Sequence, residues 1–172
     1  MHDATFEELS IPLFDQLYNF AHWLTQDKSE AEDLVQETYA KALRGFSGFQ
    51  AGTNFRAWIF RILRNTFLTS RTGLKVAGQG DEELDALPSV DPSPEAVLIG
   101  KADRSLVRQA LQELSIPFRE ILLLCEVEEM AYEEIAQVLA IPVGTVMSRL
   151  HRARKALRAL LIEKFKGGSH GL

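Results

Sequence analysis

The chain has 172 residues, a hydrophobic content of 46% and a formal net charge of −5. This length allows one large domain or two small ones, and no apolar run approaches the roughly 20 residues that a membrane-spanning helix needs. The N-terminus has neither the basic segment nor the apolar stretch of a secretion signal, and the single cysteine, Cys125, excludes an internal disulfide. We therefore expect a cytoplasmic protein with no membrane insertion.

The charge is unevenly divided along the chain. Residues 1–73 sum to −2, residues 74–100 to −5 and residues 101–172 to +2. The middle segment is also rich in glycine and proline and has little periodicity, which predicts a flexible acidic linker at 74–100. We expect small helical domains at 1–73 and 101–166, followed by a disordered tail at 167–172. Since no β-type alternation of useful length occurs, the predicted fold class is all-α.

Two amphipathic helices are predicted first. One covers roughly Pro12 to Leu24, and the next runs from Ser29 to about Arg44, where Ser29 and Glu32 have the form of a capping box. Apolar spacing assigns a common core to Leu13, Leu17, Phe20, Ala21, Leu24, Ala31, Leu34, Val35, Thr38, Ala42 and Leu43. The polar side chains of Asp33, Gln36 and Glu37 lie mostly off this apolar stripe.

A third helix begins near Asn54, a favourable N-cap residue, and continues to Arg71. Its predicted core stripe is Phe55, Trp58, Ile59, Ile62, Leu63 and Phe67, interleaved with Arg56, Arg61, Arg64 and Arg71. The preceding loop, residues 45–54, contains Phe46, Phe49 and three glycines, and we expect it to be mobile. A cationic helix beside such a loop suits single-stranded nucleic acid, although aromatic residues at helical spacing more often form core. The residues alone leave both interpretations open.

The C-terminal part contains the pattern of a helix-turn-helix. Residues 132–139 form a short amphipathic segment, and Pro142 stands where a second helix would begin. The following residues, 144–158, carry five basic side chains, one histidine and no acid. A second helix of this kind enters the major groove of duplex DNA.

The second helix has an apolar side and a cationic side. Val146, Leu150, Ala153, Leu157, Leu160 and Leu161 recur at three- and four-residue intervals. The spacing predicts an exposed face of Ser148, Arg149, His151, Arg152 and Lys155. Arginine can contact both acceptor atoms on the guanine edge, so these side chains predict duplex recognition. The alternative is an ordinary helical hairpin with a charged surface.

Three segments together resemble bacterial RNA polymerase sigma factors of the sigma-70 family, and most closely the small extracytoplasmic-function group. The segments are residues 32–39 (EDLVQETY), residues 52–65 (GTNFRAWIFRILRN) and the helix-turn-helix at 132–158. They occur in the order of the family and extend over nearly the whole chain. Residues 52–58 and 144–152 also resemble the subgroup that redox-responsive, zinc-containing anti-sigma factors control.

The resemblance implies partners and a role for each segment. Asp33, Gln36 and Glu37 would bind core RNA polymerase, whose β′ and β subunits are the expected partners. The −10 promoter element would be opened by Phe46, Asn54, Phe55, Arg61, Asn65 and Arg71. The −35 duplex would be read by Thr145, Ser148, Arg149, His151, Arg152 and Lys155. Many relatives carry a basic residue where this chain has Met147, so their base preference does not transfer directly. An anti-sigma factor is a further expected partner.

The resemblance implies a sigma factor that directs promoter-specific initiation, and no enzyme. The residues agree, because no set of histidine, cysteine and acidic side chains has metal-ligand spacing and no glycine-rich phosphate loop follows a strand. We expect no catalytic residue, metal or cofactor. The alternative function is an autonomous helix-turn-helix regulator with an N-terminal sensor or dimerisation domain, which would bind symmetric half-sites without polymerase.

Overall fold

The computed structural model of the protein describes residues 3–72 and 104–170. Within these two ranges all regular secondary structure is helical, which confirms the all-α fold class. The predicted acidic linker at 74–100 and the last two residues lie outside the described residues.

The N-terminal unit is built from four helices and two short 3-10 turns. In chain order they are α1 (Phe6–Ser10), a 3-10 turn (Ile11–Leu13), α2 (Phe14–Thr25), α3 (Lys28–Gly45), a 3-10 turn (Phe46–Gly48) and α4 (Phe55–Thr72). Helix α3 packs against both α2 and α4. The buried residues between them include Leu17, Phe20, Ala31, Ile59 and Leu63, so the apolar spacing places one face of each helix in a common core.

The C-terminal unit contains α5 (Arg104–Glu113), α6 (Ile116–Leu122), a π-helical turn (Leu123–Val127), α7 (Tyr132–Leu139) and α8 (Val143–His170). Helix α8 packs on each of α5, α6 and α7. The predicted helix-turn-helix is present: α7 ends at Ala140, which has φ 56°, and the amide of Ile141 donates to the carbonyl of Ala136 at 3.1 Å. The turn therefore brings α7 against the start of α8.

The two units pack directly against each other. Helix α4 of the first unit lies against α7 of the second, and α2 contacts α6. Arg119 joins them further, since its guanidinium donates to the carbonyl of Leu24 at 2.8 Å and to that of Leu111 at 2.7 Å. The guanidinium of Arg108 lies over the ring of Trp23 in the first unit, 5.2 Å from its centroid. None of these contacts is predicted by apolar spacing or by a local motif.

Several local predictions are wrong. Helix α3 is capped by Asp27, whose carboxylate accepts from the amide of Glu30 at 2.9 Å, and not by Ser29. Leu43 is exposed and not part of the core, whereas Phe60, absent from the predicted stripe of α4, is fully buried. Helix α8 extends to His170, so the predicted disordered tail does not begin at residue 167.

Candidate nucleic-acid interface

Helix α3 displays the three polar residues that the sequence placed on its surface. Asp33, Gln36 and Glu37 are all exposed. The opposite side of the helix is buried, because Leu34 and Val35 face the core. The helix is therefore anchored on one face and presents two acids and an amide on the other.

An apolar cleft of about 420 Å³ lies beside Gln36, where α3 meets the first turn of α2. Its lining residues are Ile11, Phe14, Val35, Gln36 and Tyr39. Ile11 is 66% exposed and Phe14 is 50% exposed, which is unusual for large apolar side chains that lie together. Apolar spacing does not reveal this cleft, because Ile11 precedes α2 and Phe14 lies off its apolar stripe.

The aromatic loop before α4 packs against the start of that helix. The rings of Phe46 and Phe49 stack with centroids 5.9 Å apart, and Phe49 also contacts Trp58 at 5.1 Å. Phe55 packs edge-on against Phe49 at 5.3 Å and is buried. The expected role of Phe55 in contacting DNA is therefore not supported by its position, since the ring fills the centre of the aromatic cluster. Phe46 is half-buried and lies nearer the surface.

The polar candidates on α4 have different surroundings. Asn54 caps the helix, because its side-chain oxygen accepts from the amide of Ala57 at 3.0 Å. Arg61 and Asn65 are exposed. Arg71 is also exposed, lies 5.1 Å from the centroid of Phe67 and forms an ion pair with Glu30 at 3.3 Å. The exposed members are available to a nucleic acid, whereas Asn54 also has a structural role.

The other two arginines of α4 pair with glutamates of the C-terminal unit. Arg56 is bidentate with Glu134, at 2.8 Å from Nε to Oε2 and 2.9 Å from Nη2 to Oε1. Arg64 is bidentate with Glu120, at 3.0 Å from Nε to Oε2 and 3.1 Å from Nη2 to Oε1. Bidentate arginine–carboxylate pairs are strong and geometrically specific, so they fix α4 against the second unit.

The electrostatics at this contact follow from the ion pairs. Hydrogen bonds from Arg56 lower the pKa of the Glu134 carboxyl, and the same bonds raise the pKa of Arg56. Glu128 lies in the same region with little exposure, and burial raises its pKa to about 7 despite the opposing attraction of Arg56. One carboxylate is thus stabilised in its charged form and its neighbour in its neutral form.

The basic helix α8 differs most from the prediction. Arg149 is 1% exposed and Arg152 is 4% exposed, so neither belongs to the predicted exposed face. Each directly precedes a buried core residue, Leu150 or Ala153, and therefore borders the apolar side of the helix. Thr145, Ser148 and His151 are half-buried, while Lys155 and Met147 are exposed.

The surface of α8 therefore combines few of the predicted residues. Of the residues predicted to contact the −35 duplex, only Lys155 is exposed in this arrangement.

Within residues 3–72 and 104–170, no helix is long and apolar enough to cross a membrane, and no group of three or more His, Cys, Asp or Glu could hold a metal ion.

Comparison with known proteins identifies both units. Residues 13–75 match the family model of sigma-70 region 2, and residues 104–157 match that of sigma-70 region 4. The two regions correspond to the helices α2 to α4 and to the helix-turn-helix unit, respectively.

Relatives match across nearly the whole chain. The ECF RNA polymerase sigma factor SigE of Mycolicibacterium smegmatis is 36% identical over 92% of this chain, which spans 65% of that relative's length. The RNA polymerase sigma factor YlaC of Bacillus subtilis is 30% identical, with 91% of this chain and 92% of the relative aligned. The solved structure of the sigma factor RpoE of Bartonella quintana in complex with the anti-sigma factor NepR is 31% identical. It aligns with a TM-score of 0.69 over 91% of this chain and 96% of that chain.

These matches do not favour the alternative of an autonomous helix-turn-helix regulator. They include both the N-terminal helices and the C-terminal unit, in one order and in full-length relatives. Sigma factors are not enzymes. The chain therefore belongs to the sigma-70 family of RNA polymerase sigma factors, in the extracytoplasmic-function group, whose members direct polymerase to promoters.

Proposed function

We propose that this sigma factor binds core RNA polymerase through α3 and promoter DNA through α4 and α8. The proposal rests on the match of the two units to two different sigma-70 regions. Each unit presents a helix with exposed polar or basic side chains. When two weak contacts are joined in one chain, formation of the first raises the effective concentration of the second. Neither region therefore needs high affinity alone.

The polymerase contact is assigned to Asp33, Gln36 and Glu37. Their exposure on a helix whose opposite face is buried supports this assignment. The apolar cleft beside Gln36 extends the same surface, with Phe14 as its most prominent ring. A partner for this surface would present basic side chains next to apolar ones, and we expect it on the β′ subunit.

The −10 contact is assigned to Asn54, Arg61, Asn65 and Arg71, with Phe46 at the rim of the aromatic cluster. Exposed arginines beside a loop of packed aromatic rings suit a displaced single strand, whose phosphates and bases they can contact. Phe55 supports the cluster from within and is not among the contacting residues that we now propose.

The −35 contact is assigned to Thr145, Ser148, His151 and Lys155 on α8. We propose that Arg149 and Arg152 join this contact when DNA binds, and that their side chains then leave the buried positions. Their place beside the N-terminal half of α8 favours that role, because the first turns of a recognition helix contact base edges.

An anti-sigma factor is the partner that would regulate this protein, and the cytoplasm is where it would act. The support is that a relative with 31% identity was solved as a complex with an anti-sigma factor. Control by a redox-responsive, zinc-containing anti-sigma factor stays a prediction from residues 52–58 and 144–152.

The test is transcription reconstituted from the full chain, core polymerase and genomic DNA, with start sites mapped. We expect new start sites that depend on the chain. Arg149→Ala and Arg152→Ala should each lower promoter selectivity about tenfold, the loss of one good base contact, with unchanged binding to core polymerase.

Lys166→Ala is the matched control, because Lys166 is an exposed cation on the same helix outside the proposed contact. Failure of the wild-type chain to redirect initiation would overturn the proposed function. An equal loss of selectivity and of core binding in the arginine variants would indicate misfolding of α8, and would remove both residues from the site.

A further inference from the structure

The closed arrangement of the two units covers part of the helix that is proposed to contact the −10 element. Arg56 and Arg64 are separated by eight residues on α4, or about 12 Å along its axis. Both guanidinium groups are bidentate with carboxylates of the C-terminal unit, Glu134 and Glu120. Glu120 has only 1% of its surface exposed, so the second pair is enclosed between the units.

The same glutamate also engages a predicted DNA contact. The side-chain amide of Asn54 donates to Oε2 of Glu134 at 3.3 Å, beside the Arg56 contact. The carboxylate of Glu134 on α7 therefore accepts hydrogen bonds from both an amide and a guanidinium at the start of α4. Arg61 and Asn65 remain exposed on the same helix. The carboxylates thus cover one part of the cationic surface and leave the rest open.

The closed arrangement is incompatible with binding to both promoter elements at once. The −10 and −35 elements are separated by about 25 base pairs, or roughly 85 Å of duplex at 3.4 Å per step. In this structure α4 is in direct contact with α7, and α7 packs on α8. The two units must therefore separate before the chain can bind a promoter along its length.

The donor groups that separation exposes are suited to phosphate. The planar guanidinium fork matches the spacing of two oxygen atoms, whether they belong to a carboxylate or to a phosphodiester. Helix α4 carries four arginines and no acid. When the glutamates withdraw, the Nε and Nη2 donors of both guanidinium groups are released on the same helix as Arg61.

We propose that Arg56 and Arg64 bind promoter phosphates in the open protein, and that Glu134 and Glu120 occupy this site in the closed protein. The chain thereby inhibits its own DNA binding until the units separate. The inference rests on the proposed function and deepens it, because it adds two residues to the −10 contact and gives the C-terminal unit a second role.

The test compares the full-length chain with the variant Glu134→Gln/Glu120→Gln. Binding to fluorescent single-stranded DNA of mixed sequence is measured at several salt concentrations. The variant should bind about tenfold more tightly. The slope of log affinity against log salt should steepen by about 1.4, because each phosphate contact with a single strand contributes about 0.7. Adding Arg56→Gln and Arg64→Gln should abolish both gains.

Two controls separate this mechanism from a change of net charge or of folding. Glu133→Gln/Glu163→Gln removes the same charge from exposed positions and should leave the salt slope unchanged. If Glu120→Gln alone prevents folding, Glu134→Gln carries the test with half the slope change.

The opening itself is measured by energy transfer between dyes on cysteines introduced at Ser29 and Ala159, both exposed, in a Cys125→Ala background. Transfer should fall in the glutamine variant. Reduced transfer with an unchanged salt slope would overturn the phosphate site, and unchanged transfer would overturn the ion-pair closure. Either result with normal promoter-specific initiation would leave the proposed function intact, whereas absent initiation by the wild-type chain would overturn that function.

Discussion

The two basic helices of this sigma factor use their arginines in different ways. On α4, Arg56 and Arg64 reach across to carboxylates of the other unit at hydrogen-bond distance. On α8, Arg149 and Arg152 are buried at the border of the helix's own apolar face. The same residue type at helical spacing thus forms inter-unit ion pairs in one place and lies buried in the other. A basic helical stripe in a sequence does not by itself identify a free nucleic-acid surface.

The largest expected effect comes from breaking the enclosed ion pair. Arg64→Gln leaves Glu120 without its bidentate partner at a site where almost no surface is exposed. Removing one partner of a buried ion pair costs about 3 kcal/mol, so we expect a loss of that size in the free energy of unfolding, measured with urea.

Arg61→Gln is the control, because Arg61 is exposed on the same helix and its loss should cost less than about 0.5 kcal/mol. A loss below about 1 kcal/mol for Arg64→Gln would mean that the two units separate in the variant and that the Glu120 carboxylate becomes hydrated. The contrast between the enclosed pair of α4 and an ordinary surface pair would then disappear.

A pH dependence should follow from Glu128. Burial raises its pKa from an ordinary 4.5 to about 7, so the folded protein holds this proton more tightly than the unfolded chain does. The contribution of Glu128 to the free energy of unfolding is therefore fully present below about pH 4.5, and it decreases as the pH rises to about 7. The decrease should reach at most about 3 kcal/mol.

The measurement is the unfolding free energy of wild type and of Glu128→Gln across this pH range. The variant should lack the decrease and be the more stable protein above pH 7. Glu134 acts in the opposite direction, because its lowered pKa contributes stability that is lost only as the solution becomes more acidic. A wild-type curve parallel to that of the variant would show that Glu128 is solvated.

The smallest effect separates the two roles of Asn54. Asn54→Ala removes the cap of α4 and should lower stability by about 1 kcal/mol. Asn54→Ser retains an acceptor oxygen and should keep most of that stability, while it removes the amide. A fall in promoter opening with Asn54→Ser, measured by permanganate footprinting of the −10 region, would assign base recognition to the amide. Normal opening would leave Asn54 with capping alone.

The course of the chain was predictable in most of the N-terminal unit and in the helix-turn-helix, whereas α1, α5 and α6 were not predicted. Apolar spacing located α2, α3 and α4, and Asn54 caps α4 as its residue type suggests. Errors arose where two residues compete for one local role, as with Asp27 and Ser29 at the start of α3. Leu43 fits the apolar stripe, but it lies in the last turn of the helix, where no element among the described residues covers it.

The candidate site was less predictable than the fold. Spacing gives the angle of a residue around its own helix, and so it could place Asp33, Gln36 and Glu37 on the surface. It could not show which neighbour covers a given side. Phe55 was expected both in the core and at the DNA contact. Its contacts with the rings of Phe49 and Trp58 place it in the core.

The sequence by itself determined the helical class, the helix-turn-helix and the family, because these depend on local spacing and on motifs that are contiguous in the chain. Tertiary structure alone decided that α4 packs against α7, that Glu134 and Glu120 neutralise two arginines of α4, and that Arg149 and Arg152 are buried. The two ion pairs join groups separated by 56 and 78 residues along the chain. No local pattern records such a contact, since its energy comes from two surfaces that meet only after each unit has folded.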